Sequence, residues 1–125
     1  MGSRGAASGT GKHPYGSEYK TVLQDGNIKF VKYRLADNAK APLETHTKWR
    51  IYVTVNRENN PAFISFYDTQ GKRTRTLDLL KSHDGMQMHA HDGYTHTGEA
   101  VPLTEKEEKL IAKVRKLWYS RRGKE

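Results

Sequence analysis

The sequence predicts an α+β domain: a three- to four-stranded antiparallel sheet, in meander order, packed against a C-terminal amphipathic helix. Three observations lead there. Runs at 49–56, 62–68 and 73–80 are rich in strand-forming residues and separated by tight turn signals. An apolar stripe at helical spacing closes the chain. The length, 125 residues, suits one domain with one core. Hydrophobic residues are 34% of the chain and the mean hydropathy is −0.91, so the core must be small.

The first residues, "MGSRGAASGTGK", read as a flexible linker or cloning remnant spanning 1–12, and they lack the apolar block of a signal peptide. The domain is expected over 13–119, with 120–125 as a basic flexible tail. In "HPYGSEYKTVLQDGN", Ser17 can cap a short helical turn that ends at the Asp25-Gly26 turn signal. "NIKFVKYRL" reads as a strand whose alternation changes phase between Phe30 and Val31, as a bulge would produce.

The cleanest alternation is "WRIYVTVN", with Trp49, Ile51, Val53 and Val55 on one face and Arg50, Tyr52, Thr54 and Asn56 on the other. "ENNP" then turns into the strand "AFISFYD", and "TQGK" turns into "RTRTLDLL". Next comes a segment interrupted by Gly85, Gly93 and Gly98, an ordered loop with one short strand around His89–His91. Finally, Thr104 and Glu107 form a capping box before Leu110, Ile111, Val114, Leu117 and Trp118, which repeat at helical spacing. Acidic residues early and basic ones late suit the helix dipole.

Lys and Arg number 22 against 14 Asp and Glu, a formal charge of +8, which favours nucleic acid as partner. The absence of cysteine excludes disulfides, thiolate metal sites and cysteine nucleophiles. No apolar run is long enough to span a bilayer, so a soluble domain is expected without a membrane partner. Nucleotide-binding glycine loops, nucleophile elbows and dense carboxylate clusters are also missing.

The chemistry-bearing residues concentrate in "SHDGMQMHAHDGYTH", which holds four of the six histidines. His89 and His91, one residue apart, point to the same side in extended backbone, and His83 and His96 are near enough in sequence to join them. Two imidazoles can divide the acid and base roles of RNA cleavage without a metal or other cofactor. Arg73 and Arg75 on one strand face supply cations for the phosphate. An alternative is a divalent metal such as zinc on His83, His89, His91 and His96, with Asp78, Asp84 or Asp92. The tyrosines at 15, 19, 33, 52, 67, 94 and 119 offer stacking surfaces for bases, or serve as core residues.

The run "ISFYDTQGKRTRTLDL" followed by "SHDGMQMHAHDGY" resembles the C-terminal toxin domains of bacterial polymorphic toxins and of some phage head-morphogenesis proteins. Those modules show a "YD..G+R" hairpin before a histidine-rich "H.G….H.H" segment, and the resemblance spans roughly residues 13–119. Met88 stands where such segments often carry proline, and the clearest helix here is C-terminal instead of N-terminal. The resemblance implies a metal-independent endoribonuclease of α+β architecture, with Arg73, Arg75, Asp78, His83, His89 and His91 in the motif positions. It also implies a cognate immunity protein, and action in the cytoplasm of a target or host bacterium or as part of a larger secreted or phage protein. The alternatives are a metal-dependent nuclease of the HNH type and a non-catalytic phage or cell-surface module that binds nucleic acid or protein.

Overall fold

The computed structural model describes residues 6–7, 18–35, 39–47, 50–79, 88–93 and 100–122. Its elements are β1 (Ala6–Ala7), β2 (Tyr19–Asp25), β3 (Ile28–Tyr33), β4 (Glu44–Thr45), β5 (Ile51–Val55), β6 (Pro61–Tyr67), β7 (Arg73–Asp78), β8 (His89–Asp92) and α1 (Glu105–Arg122). The α+β class stands, but the main sheet has 6 strands, in the order β2-β3-β5-β6-β7-β8, instead of three or four. It is also mixed. β3 and β5 run parallel, and every other neighbouring pair in this sheet is antiparallel. A parallel pair needs a crossover of about a dozen residues or more, and the connection over 34–50 supplies it. Within that connection β4 forms a second, 2-stranded sheet with β1, which falls in the segment expected to be a linker.

Residues 19–25, expected to form a helical turn, are strand β2. Thr21 and Val22 are β-branched, and the Asp25-Gly26 signal closes a hairpin instead of a helix. Asp25 pairs with Ile28 around a two-residue loop in which Gly26 takes φ 61°, the left-handed conformation such loops require. The phase change expected between Phe30 and Val31 does not occur within β3, which alternates regularly, with Ile28 and Phe30 toward one face and Val31 toward the other; the irregularity lies in the opposing strand, where Val22 is the extra residue between Thr21 and Leu23. The run β5-β6-β7 is the expected meander. Trp49, assigned to the same face as Val53, lies outside the described residues.

One face of the sheet packs on α1. Ile28, Phe30, Val53, Val55, Ile64, Leu77, Leu79 and Ala90 form a single cluster with Ile111, Val114 and Trp118. Trp118 stacks on Phe30 at 5.4 Å between ring centroids and donates its indole N–H to the Asn59 carbonyl at 2.7 Å. The helix starts where its capping box predicts. Glu107 N–H donates to Thr104 Oγ1 at 3.2 Å, and Thr104 N–H donates to Glu107 Oε1 at 2.9 Å. It continues to Arg122, past the point where the tail was expected to begin.

The other face is buried too, though by different chemistry. Tyr19, Val31 and Tyr52 form a second cluster, with Tyr33 and Tyr67 against it. The crossover lies over this cluster. The Tyr19 and Tyr67 hydroxyls donate to the carbonyls of Lys40 and Pro42, each at 2.6 Å, and the Thr45 and Tyr52 hydroxyls bond to each other at 2.8 Å. Gly71, at φ 82°, anchors the far end: its carbonyl accepts from Thr45 N–H at 2.8 Å, and a Cβ there would collide with the Thr45 carbonyl oxygen.

Candidate functional site

Residues paired across neighbouring strands share a face, and this locates the histidines. One row runs Val31, Thr54, Phe63, Asp78, His89; the next runs Lys29, Tyr52, Ser65, Thr76, His91. Both rows lie on the face away from α1. The polar members Thr54, Ser65, Thr76, Asp78, His89 and His91 are all buried. Buried polar side chains carry a desolvation cost unless they are paired. Thr54 Oγ1 makes no hydrogen bond among the described residues.

The two imidazoles occupy β8 because two-residue periodicity keeps them on one side. Their ring centroids are 5.0 Å apart, at an interplanar angle of 78°. His89 Nε2 stands 3.7 Å from Asp78 Oδ2, within ion-pair range and beyond hydrogen-bond distance. His89 is 1% exposed and His91 5%. Between them, Ala90 faces the helix side, and its N–H and carbonyl both bond to Val101 at 2.8 Å, which secures the outer edge of the strand. Asp78, His89 and His91 are therefore brought together. His83, His96 and Asp84 lie outside the described residues.

The arginines are arranged differently from the expectation that Arg73 and Arg75 share a face. Phe66 pairs with Arg75 and Tyr67 with Arg73, so β7 carries one extra residue, Thr74, and the bulge turns the two guanidinium groups to opposite sides. Arg73 is buried on the tyrosine side, with Nη1 3.4 Å from the Ala41 carbonyl. Arg75 faces the helix. It donates to both carboxylate oxygens of Glu107, at 2.6 and 2.9 Å, and to Asp92 Oδ1 at 2.8 Å. Arg73 is therefore on the sheet face of the imidazoles, whereas Arg75 is on the opposite one. Asp92, a candidate metal ligand, is likewise on the helix side, and among the described residues no three His, Asp or Glu side chains are grouped to hold a metal.

These contacts tune the charged groups. Burial is the largest influence on the Glu107 carboxyl and opposes its ionisation, but the hydrogen bonds from Arg75 and Thr104 together hold it below the usual carboxylate range. The same bond to Glu107 raises Arg75 further, against burial. Desolvation pushes the Tyr19 and Tyr67 phenols well above their ordinary value, and burial, with Arg50 nearby, lowers Lys29. The tyrosines thus divide. Tyr19 and Tyr52 are core, Tyr33 and Tyr67 pack beside them, and Tyr119 is exposed with its hydroxyl donating to Asn60 Oδ1 at 2.7 Å. Tyr15 and Tyr94 lie outside the described residues.

Two features escaped the reading of the sequence. Thr76, cross-strand neighbour of His91, was signalled by its two-residue spacing from Asp78. The Glu107 bond to Arg75 had no local signal, because 32 residues separate the partners. No protein-family model, curated protein or solved structure matches the chain. No described helix is long and apolar enough to cross a membrane.

Proposed function

We propose that this chain is a small nuclease domain of the toxin type, acting on RNA without a metal, with His91 and His89 at its centre. One observation carries the reading: two imidazoles 5.0 Å apart on one sheet face, with a carboxylate 3.7 Å from one of them. His91, the more exposed, takes the 2′-hydroxyl proton as that oxygen attacks phosphorus. The bond to the 5′ oxygen breaks, and that oxygen accepts a proton from the second imidazole, leaving a 2′,3′-cyclic phosphate and a 5′-hydroxyl. Asp78 steadies His89. The sequence pattern nominates His83 or His96 as the third member of the site. Arg75 acts as a positioning residue, tying β8 through Asp92 to α1 through Glu107. As a toxin, the domain would meet RNA in the cytoplasm of a target or host bacterium and be restrained by an immunity protein.

The test is incubation of the purified protein with labelled RNA and DNA, with and without EDTA. Discrete RNA cleavage that survives EDTA is expected. His89→Ala or His91→Ala should reduce the rate by about 10² to 10⁴, the usual share of proton transfer, while each variant still unfolds cooperatively. Loss of cleavage in EDTA would instead favour a metal-dependent nuclease using His83, His89, His91 and His96. A second reading rests on the burial of both rings: a non-catalytic, basic nucleic-acid- or protein-binding module in which His89 and His91 are structural. That reading requires binding with no turnover of either nucleic acid.

A further inference from the structure

The helix face turned away from the core carries a pattern that the nuclease reading does not use. Lys106, Lys109, Lys113 and Lys116 follow one another at spacings of three, four and three residues, so they line one narrow stripe of α1. At about 1.5 Å rise per residue the stripe is roughly 15 Å long. All four are exposed, and among the described residues none is hydrogen-bonded or ion-paired. Four unpaired ammonium groups in a row repel one another; an anionic polymer relieves that repulsion and releases its own counterions.

The stripe leads into a groove of about 730 Å³ between the end of α1 and the β2–β3 turn. Leu23 and Leu117 are its apolar lining, with Gln24, Asp25, Ser120 and Arg121 as polar groups and Lys113 and Lys116 at the junction with the stripe. Arg121 is set in place, its guanidinium carbon 4.1 Å from the centre of the Trp118 ring. A guanidinium beside apolar side chains receives the flat face of an unstacked base, and Gln24 and Asp25 offer acceptors to exocyclic amino groups. A duplex keeps its bases stacked and paired, so the combination selects a single strand.

We infer that this flank of α1 is a binding track for a single-stranded polynucleotide, with successive phosphates on Lys106, Lys109, Lys113 and Lys116 and a base in the groove beside Arg121. The track lies on the face opposite His89 and His91, and the groove borders β2, the strand at the far edge of the sheet from β8. It does not depend on catalysis at the histidines.

The test is fluorescence anisotropy with labelled 2′-O-methyl RNA, which lacks the attacking hydroxyl, alongside single-stranded DNA and a duplex of the same sequence, over a range of NaCl concentrations. Four phosphate contacts give a slope of log affinity against log salt near −2.8, or about 50-fold weaker binding between 50 and 200 mM salt. The variant with Lys106→Gln, Lys109→Gln, Lys113→Gln and Lys116→Gln should lose about that much slope while melting as the parent does. RNA and DNA single strands bound alike place recognition in phosphate and base, and preference for RNA adds the sugar; either result supports the track. An unchanged slope in the quadruple variant, equal affinity for the duplex, or binding to anionic phospholipid vesicles with none to single strands would overturn it.

Discussion

The two faces of the same sheet are buried by opposite means. The face under α1 is closed by large apolar side chains, with Trp118 against Phe30 at its centre. The other face holds hydroxyls, imidazoles, a carboxylate and an amine among its buried residues, and at one end a chain crossover satisfies its tyrosines through backbone carbonyls. Apolar packing supplies stability with little demand on direction, whereas buried polar groups demand partners at fixed positions. The first face therefore explains why the chain folds. The second is where a fold carries chemistry at a cost to its own stability.

The largest effect that can test this division is at Trp118. Trp118→Ala removes the stacking on Phe30 and the bond to Asn59, and should cost about 3–5 kcal/mol in urea unfolding. A loss below about 1 kcal/mol would mean that α1 is an accessory. Next comes the crossover side. Gly71→Ala forces a side chain into a left-handed position against the Thr45 carbonyl, and should cost about 1–3 kcal/mol while loosening the cover over the tyrosines. If it equals Trp118→Ala, the two faces contribute alike and the contrast fails.

The smallest effect is in acid. The Glu107 carboxyl is held below its usual value of 4.5, so its contribution is present above the unfolded-state pKa and is lost as pH falls through the lower folded value. Stability should therefore decline below about pH 4.5 in the parent, and Glu107→Gln should flatten that decline. Arg75→Met should act on the same acid limb, and identical pH profiles for parent and variants would exclude the ion pair as a contributor.

How far the sequence could be read follows the same division. Periodicity exposes apolar faces, so β5, β6, β7 and α1 were legible, as was the capping of α1 by Thr104 and Glu107. It does not reveal which strands become neighbours. The parallel pairing of β3 with β5 depends on a crossover whose role is visible only once Lys40 and Pro42 meet the tyrosines. β2 was mistaken for a helical turn because its local signals suited both, and pairing with β3 decides such cases. The shared face of His89 and His91 followed from alternation, Asp78 joins them only through the pairing of β7 with β8, and the separation of Arg73 from Arg75 turned on one bulge residue, Thr74, which alternation cannot anticipate.

The indole bond from Trp118 to Asn59 reaches back across 59 residues, from the last turns of α1 to the turn between β5 and β6. A ribosome releases this chain in the reverse of the order its core needs: every strand of the sheet emerges before the helix that covers it. Until Trp118 clears the exit tunnel, the nascent sheet can pair its strands but cannot hide Phe30, Val53 and Ile64 from water or from other nascent chains. During synthesis, α1 can therefore dock only after every strand it covers has emerged.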